Sequence, residues 1–598
     1  MRFRSFILFI LLLPAFPLVS TAQEKDTAKV KILDSRVGRE LMDAVTRKPS
    51  FGQGKANVKS EDPFMRHQGK IIRKIYIRRI SFERSIYDTT RSFRNTVTKI
   101  ADKLHKDTRS VVIRNNLFFR ENRPLNPYKL ADNERYIRDL DFILDSKIRV
   151  IPINGSSDSV DVEVITRDVF SLGARARVRG VDRFAVGIYD ANLMGLGQRL
   201  QGDFLFDRER DPLVGKEFRF SRSSLGGSLV NLAVGYTELN NGRSLGEENE
   251  YAYFFRLSRP LVSPYSRFAG EVELSSNWSQ NVFNGADSLF RRYHYNAQDY
   301  WVGYNIGTST NMNDRSRHFV ALRYHQQRFS RQPDQEFQRS RLIYNNNRFL
   351  LGEVIFYNQN FYKTNYVYGF GRTEDIPYGQ TITFTGGWSE DIGQKRFYAG
   401  MSAIKRIVRP SGRFYDIEAG AGTFFNGDQT EDGVMFVRGQ FYSKLYDIKK
   451  SKIRHQLGGG YARAFNNRVR ELLTLNNELR GFGADSLFGF QRFSLRTETT
   501  VFTPLQFVGF RFAPFLSLEG AYLKQKIPMG SEGTFFWGTT GGIRIRNENL
   551  IFGTIEFRAF YYPKTVPGVD VLAFKVTTNV RIKYSGTFVS PPDFVRFN

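Results

Sequence analysis

The sequence predicts a mainly β protein: a transmembrane antiparallel β-barrel preceded by one small α+β domain. Three observations carry this expectation. Aromatic residues make up 15% of 598 positions, with 55 Phe and 29 Tyr, beside 51 Gly and no Cys; that composition favours many short strands over a helical enzyme. From about residue 170 onward, apolar and polar residues alternate in short segments separated by Gly, Asn, Asp, Ser and Pro, as in strands with two unlike faces. The polar face of those segments carries Arg, Glu and Asn in numbers a dry core could not pack, which puts lipid outside and water inside.

The first residues set the compartment. Arg2 and Arg4 form a basic start, Phe6 to Phe16 an apolar stretch, and Ser20-Thr21-Ala22 a run of small residues. This is the layout of a secretory signal peptide over 1–22, with the mature chain beginning near Gln23. Export without cysteine suits a bacterial envelope protein. No later apolar run reaches the length of about 18 residues that a spanning helix needs; a barrel strand, only half apolar, needs no such run.

Composition excludes several functions. Without Cys there is no disulfide framework, thiolate metal site or Cys nucleophile. The formal charge of +28 is spread along the chain with both signs interspersed, whereas a nucleic-acid binder concentrates its charge on one face. No nucleic-acid partner is expected; the excess suits a solvated lumen or contact with anionic lipid head groups.

Residues 23–69 are polar and without sustained period, and read as a linker, disordered in large part. The domain over 70–168 is different. Ile71–Ile80 reads as a strand, Ser92–Lys106 and Arg109–Phe119 as helices. Asn126-Pro127 starts a further helix, with Asn126 able to cap its free amides and Pro127 suited to its first position. Leu130, Ile137 and Leu140 give that helix a buried side. Two strands, Ile148–Ile153 and Val160–Ile165, close the unit as a hairpin around Asn154-Gly155. An open edge of so small a sheet can accept a strand from a partner.

The barrel occupies 169–598. Val272 and Leu274 alternate with Glu271 and Glu273, Ile382, Phe384 and Trp388 repeat the pattern, and Ile555 and Phe557 alternate with Glu556 and Arg558. A spanning strand takes roughly 9–11 residues plus its connection. About sixteen strands would leave roughly 27 residues for each, whereas eight would leave about 53, against the frequent turn signals. Polar stretches such as Asn311–Arg317 read as loops, and Tyr584 or Phe588 as the close of the last strand.

Signals for catalysis are absent. Six scattered His residues have no metal-ligand spacing, and neither a nucleophile elbow nor a phosphate-binding loop occurs. Catalytic residues, cofactor and metal are therefore expected to be none, and the protein not to be an enzyme. One quartet stands out: Leu479-Arg480-Gly481-Phe482, in a loop after an apolar segment. On local pattern alone it is an ordinary loop with an Arg.

Its context changes that reading. The quartet resembles the [VL]RG[FY] loop motif of the BamA/TamA superfamily of outer-membrane insertases and translocators, the bacterial surface antigen family. Arg167-Asp168 with Phe170-Ser171-Leu172 is similar to the family's junction between periplasmic domain and barrel. The run Asp190-Ala191-Asn192-Leu193-Met194-Gly195-Leu196-Gly197-Gln198 is similar to its early D-x-N-L-x-G-x-G turn. The unit at 70–168 resembles a single POTRA domain. The resemblance implies that the loop folds back into the barrel and that Arg480 pairs with acidic residues on the next strands, for which Glu498 and Glu519 are the candidates.

It also implies location in the cell outer membrane with the N-terminal domain in the periplasm. The implied partners are outer-membrane lipid, unfolded outer-membrane or secreted polypeptide clients, and other envelope assembly components. Room for one POTRA-like unit instead of about five points to an accessory or specialised member, as does Asn598 in place of a terminal aromatic. Assisting insertion, assembly or translocation of clients is the leading functional expectation. A passive pore, or a structural or lipid-handling envelope component, are the alternatives.

Overall fold

A computed structural model describes residues 58–80 and 106–595, with breaks at 170, 179–181, 244–247, 287, 308–314, 336–341, 469–472, 477, 484–486, 508–509, 528–529, 548–553, 568 and 581–587. The signal peptide expected at 1–22, the part of the expected linker up to 57, the helix expected at 92–106 (save its last residue), most of the loop expected at 311–317 and Tyr584 lie outside these residues.

The first described strand is short. β1 (Val58–Lys59) pairs with Lys363 and Tyr362 of the sheet that follows, and a 3-10 turn over Asp62–His67 leads on. The end of the stretch expected as a linker is thus seated on folded structure.

A three-stranded sheet comes next, in the order β2 (Ile71–Ile80), β4 (Ser159–Asp168), β3 (Ile143–Pro152), with β2 parallel and β3 antiparallel to β4. Ile72 and Ile75 are three apart, so a regular strand would send them to opposite faces. A shift of register between them turns both inward, as a β-bulge does. They meet Val160, Val162 and Val164 of the central strand, all fully buried. The other side of this core is α2 (Pro127–Asp139), which buries Leu130 and Ile137; the short α1 (Ser110–Arg114) adds Ile113. Asn126 Oδ1 accepts the backbone N–H groups of Tyr128 and Lys129 at 3.0 and 3.1 Å, and Pro127 has no N–H to leave unpaired.

The second sheet contains the rest of the chain. Its strands are β5 (Leu172–Val178), β6 (Arg183–Asp190), β7 (Gln198–Asp207), β8 (Val214–Arg222), β9 (Asn231–Asn241), β10 (Asn249–Arg259), β11 (Phe268–Gln280), β12 (His294–Ile306), β13 (Arg317–Arg331) and β14 (Asn347–Thr364). It continues with β15 (Glu374–Asp391), β16 (Gln394–Val408), β17 (Phe414–Asn426), β18 (Gln429–Tyr442), β19 (Ser451–Phe465), β20 (Gln491–Phe502), β21 (Phe510–Ile527), β22 (Gly530–Arg546), β23 (Thr554–Tyr561) and β24 (Leu572–Val580). Short pieces at Tyr446–Ile448 and Gln506–Phe507 extend β18 and β20 along their neighbours. Each strand pairs antiparallel with the next, and the order sets β24 beside β5, as a barrel requires.

Two expectations need correction. The described wall has about twenty strands, not about sixteen, because many connections are tight. Only residues 392 and 393 separate β15 from β16, and only 427 and 428 separate β17 from β18. Phe588 does not close the last strand; it sits against the turn after β10, where its N–H donates to Leu261 O at 3.0 Å.

The alternation resolves into two faces. Val302, Leu322, Phe384, Trp388, Leu495 and Leu518 are exposed on the outside, while Arg396, Glu498, Glu519, Glu556 and Arg558 are buried within. Among the described residues no helix is long and apolar enough to cross a membrane.

The small domain is docked across the end of the barrel at which the chain enters β5. Arg315 makes two contacts with Asp132 (3.2 and 3.3 Å), Ser263 Oγ donates to Asp132 at 2.9 Å, and Arg135 donates to Val262 O at 3.0 Å. Lys363 meets Glu134, and Arg138 bridges Glu134 and Asp145 on its own domain to Asp375 on the barrel. Lys363 and Arg138 hold the Glu134 carboxyl below the usual carboxylate range despite its burial.

At the junction, Asp168 Oδ2 accepts the N–H of Thr108 at 2.5 Å, and Asn192 Nδ2 donates to Thr108 Oγ1 at 2.9 Å. Asn192 also accepts from Gly197 N, while Asp190 accepts from Asn192 N. The Asp168 and Asn192 motifs singled out in the sequence thus meet in one network. Asp168 Oδ1 has no partner, and burial pushes this carboxyl up to about 6 from 3.8. A carboxyl raised on folding favours the folded state fully only below its unfolded pKa, and loses that contribution as pH climbs through its folded one. Stability of the docked domain should therefore fall between pH 4 and about 6 on this account, by roughly 2–3 kcal/mol. Asp168→Asn, which keeps an acceptor for Thr108, should flatten that part of a denaturation-versus-pH curve.

Candidate functional site in the barrel lumen

The Arg480 loop joins β19 to β20, at the end of the barrel away from the docked domain. Its apolar residues determine where it goes. Leu473, Leu475, Leu479, Phe482 and Leu487 are all buried, against lumen-facing Phe436, Ala462, Ala521, Phe536 and Phe560 and against Tyr562. Five large side chains taken out of water contribute on the order of 1.5–3 kcal/mol each, so the loop folds inward and lines the lumen. The Phe482 ring lies 5.3 Å from Phe536 and 5.1 Å from Tyr562.

The quartet is a turn in which Phe482 N donates to Leu479 O at 3.2 Å. Gly481 has φ +78° in this turn, and a Cβ there would come within 2.9–3.0 Å of the Phe560 ring. Both the backbone and the space therefore call for glycine. The turn aims Arg480 at two strands. Arg480 Nη1 donates to Glu498 Oε2 at 3.1 Å, its backbone N–H donates to Glu519 Oε2 at 2.8 Å, and its Nε stands 4.0 Å from Glu519 Oε1. Register accounts for the pair. Arg496 lies opposite Glu519 and Glu498 opposite Ser517, so the two carboxylates face inward on adjacent strands, two positions apart.

Four further residues complete the network. Tyr562 Oη donates to Arg480 O at 2.5 Å. Arg544 bridges Glu498 and Glu556 at 2.8 Å each, and Arg558 meets Glu556 at 2.9 Å. Arg480, Arg544 and Arg558 alternate with Glu519, Glu498 and Glu556, so three positive charges balance three negative ones inside the wall. A buried charge costs several kcal/mol unless it is paired and hydrogen-bonded, and here each carboxylate meets at least one guanidinium or amide. Glu478 ties the base of the loop to the wall through Arg492 at 2.9 Å and Ser494 at 2.7 Å.

Arg544, Glu478 and Tyr562 were not singled out in the sequence, and Glu556 and Arg558 only as the polar side of a strand. Their membership depends on which strand lies beside which, and nothing local carries that. Among the described residues no group of three or more His, Asp or Glu side chains could hold a metal ion.

No protein-family model and no curated protein matches the sequence. Among solved structures the chain is similar to BamA from Haemophilus ducreyi lacking POTRA domains 1-3, at 10% identity over 94% of this chain and 95% of that one, with a TM-score of 0.34. It is also similar to CdiB from Acinetobacter baumannii (9% identity, 94% and 88% covered, TM-score 0.41) and to CdiB from Escherichia coli (7% identity, 94% and 99% covered, TM-score 0.31).

Two substitutions probe the network. Arg480→Ala leaves Glu498 short of a partner, removes the cation beside Glu519 while keeping its backbone hydrogen bond, and should lower thermal stability of the folded barrel by about 1–3 kcal/mol. Gly481→Ala should cost a similar amount, about 1–3 kcal/mol, through strain in a left-handed turn. Limited proteolysis should show the loop cut faster in both variants. Loop protection and unfolding temperature equal to wild type would mean that the turn is not what holds the loop.

Proposed function

We propose that this protein sits in the bacterial outer membrane and assists insertion, assembly or translocation of polypeptide clients, with the domain at 70–168 in the periplasm. One observation carries the reading: a loop is drawn deep into the lumen and fixed there by Arg480, Glu498, Glu519 and Tyr562. A passive pore needs no such fixture, and a charged loop obstructing the channel would work against conduction. The domain seated across the opposite mouth supports the same reading.

In this role the lock sets how firmly the loop braces β20, β21 and the residue following β23, close in sequence to the last strand. The seam of the wall lies between β5 and β24. A client strand would add first to an edge of the domain's small sheet and then at this seam. The client's own folding in lipid would drive the process, since the sequence contains no nucleotide-binding motif. The apolar outer face supports outer-membrane lipid as a partner, and other envelope assembly components complete the proposed set.

Liposomes containing the protein should speed the folding of an unfolded tester barrel, and Arg480→Ala should lose most of that gain while staying inserted. Folding at the lipid-only rate, together with steady ohmic conductance, would replace this proposal with the pore.

A further inference from the structure

Residues 588–595, which follow the last strand, lie inside the lumen along the wall opposite the seam. Their path starts at the docked domain. The Phe588 ring packs 5.7 Å from Phe361 and lies under the Arg135 guanidinium of α2, 5.5 Å away. Farther on, Arg323 Nη1 donates to Pro592 O at 2.8 Å and stands 3.6 Å from the Asp593 carboxylate. Glu353 takes a hydrogen bond from the Asp593 backbone. Phe594 then enters a cage of three rings: Tyr398 at 4.8 Å, Phe349 at 5.1 Å and Phe424 at 5.2 Å. Val595 N donates to Tyr398 Oη at 2.7 Å. The Val595 side chain fits where Gly400 and Gly420 leave the wall bare, since a Cβ at either would approach it to 3.0–3.1 Å. Val595 also packs against the cluster that buries the Arg480 loop.

Two features of this seat are those of a polypeptide site. Side chains of the wall meet three main-chain groups, Pro592 O, Asp593 N and Val595 N, and such contacts do not depend on side-chain identity. One aromatic anchor in a preformed cage, preceded by an acidic residue beside Arg323, then adds selectivity. Residues 588–595 form no helix or strand of their own, so their hold depends on these wall contacts.

We propose that the inner wall of β13 to β17 is a binding track for a polypeptide segment with an acidic residue followed by an aromatic one, and that this chain's own residues 588–595 occupy it until a client displaces them. The inference deepens the polypeptide-handling function above and rests on it. Because the track runs from α2 to the loop cluster, displacement would remove Phe588 from the docked domain and Val595 from the loop together. One event would thereby be sensed at both ends of the barrel.

The test uses the full chain in detergent micelles and a fluorescent synthetic peptide with the sequence of residues 588–598. The Phe594→Ala/Val595→Ala variant should release the native segment and bind the peptide at least tenfold more tightly than wild type. A variant ending at residue 587 provides the same vacancy by another route should the first fail to fold. A peptide with Ala in place of Phe594 should not bind, and Tyr398→Ala in the vacant variant should abolish binding of the unmodified one. An unfolded tester barrel containing an acidic-aromatic pair should compete with the peptide. Equal binding of both peptides, or no gain on vacating the seat, would overturn the track. Peptide binding without competition by the client would make residues 588–595 an internal strut and overturn the proposed occupant, while client folding in liposomes could still proceed. Loss of client folding with competition intact would instead remove the insertion reading and leave the track standing.

Discussion

Pairing of charge on the inner wall is the constraint on which the rest of this structure depends. The outer face is given to apolar side chains, so the charged residues of twenty strands crowd into one enclosed space. A charge there without a partner costs more than most single contacts contribute. The wall therefore carries its arginines and carboxylates on adjacent strands, as in Arg256 with Glu273, Arg323 with Asp299, Arg438 with Glu418 and Arg544 with Glu556, while Arg544 also reaches Glu498 two strands away. The Arg480 loop enters this array as one more cation and finds its carboxylates already ordered by the strands.

The loop, the docked domain and the segment after the last strand all use the same wall. From one end, α2 and its ion pairs cover the mouth. From the other, the Arg480 turn reaches inward. Between them lies the 588–595 segment, with Phe588 beside Arg135 and Val595 beside the loop cluster. Packed side chains connect the two ends physically, which is the minimum that any coupling between them would require. The track and the domain's ion pairs to Lys363 and Asp375 lie on β14 and its neighbours, across the lumen from the seam.

Local features of this fold are legible in the sequence, whereas the number of strands and the partners of distant side chains are not. The Ile71–Ile80 strand, the Asn126 cap and the inward Leu130 and Ile137 follow from short-range rules that the tertiary structure had no cause to override. The strand count came out too low because two-residue connections leave almost no polar spacer, so neighbouring strands read as longer segments. The place of Phe588 beside Phe361 is not legible in the sequence, because an aromatic near the end of a barrel sequence suits a strand terminus and a lumen pocket equally well. Arg480, Glu498 and Glu519 were legible through a motif resemblance, but Arg544 and Tyr562, which complete their bonds, were not.

What the sequence determined by itself is the kind of wall: period-two alternation with arginine and glutamate on one side commits each segment to two unlike solvents before any neighbour is known. Glycine at 481 and the asparagine cap at 126 are likewise local facts of backbone geometry. Which carboxylate meets which guanidinium was decided only by the tertiary structure, because register and strand adjacency place Glu498 and Glu519 side by side across 21 positions of sequence. The same holds for Phe594, whose cage is built from three strands that share no local signal. Such contacts arise from the assembly of the sheet, and the free energy that holds them exists only once that assembly has brought distant side chains to one place.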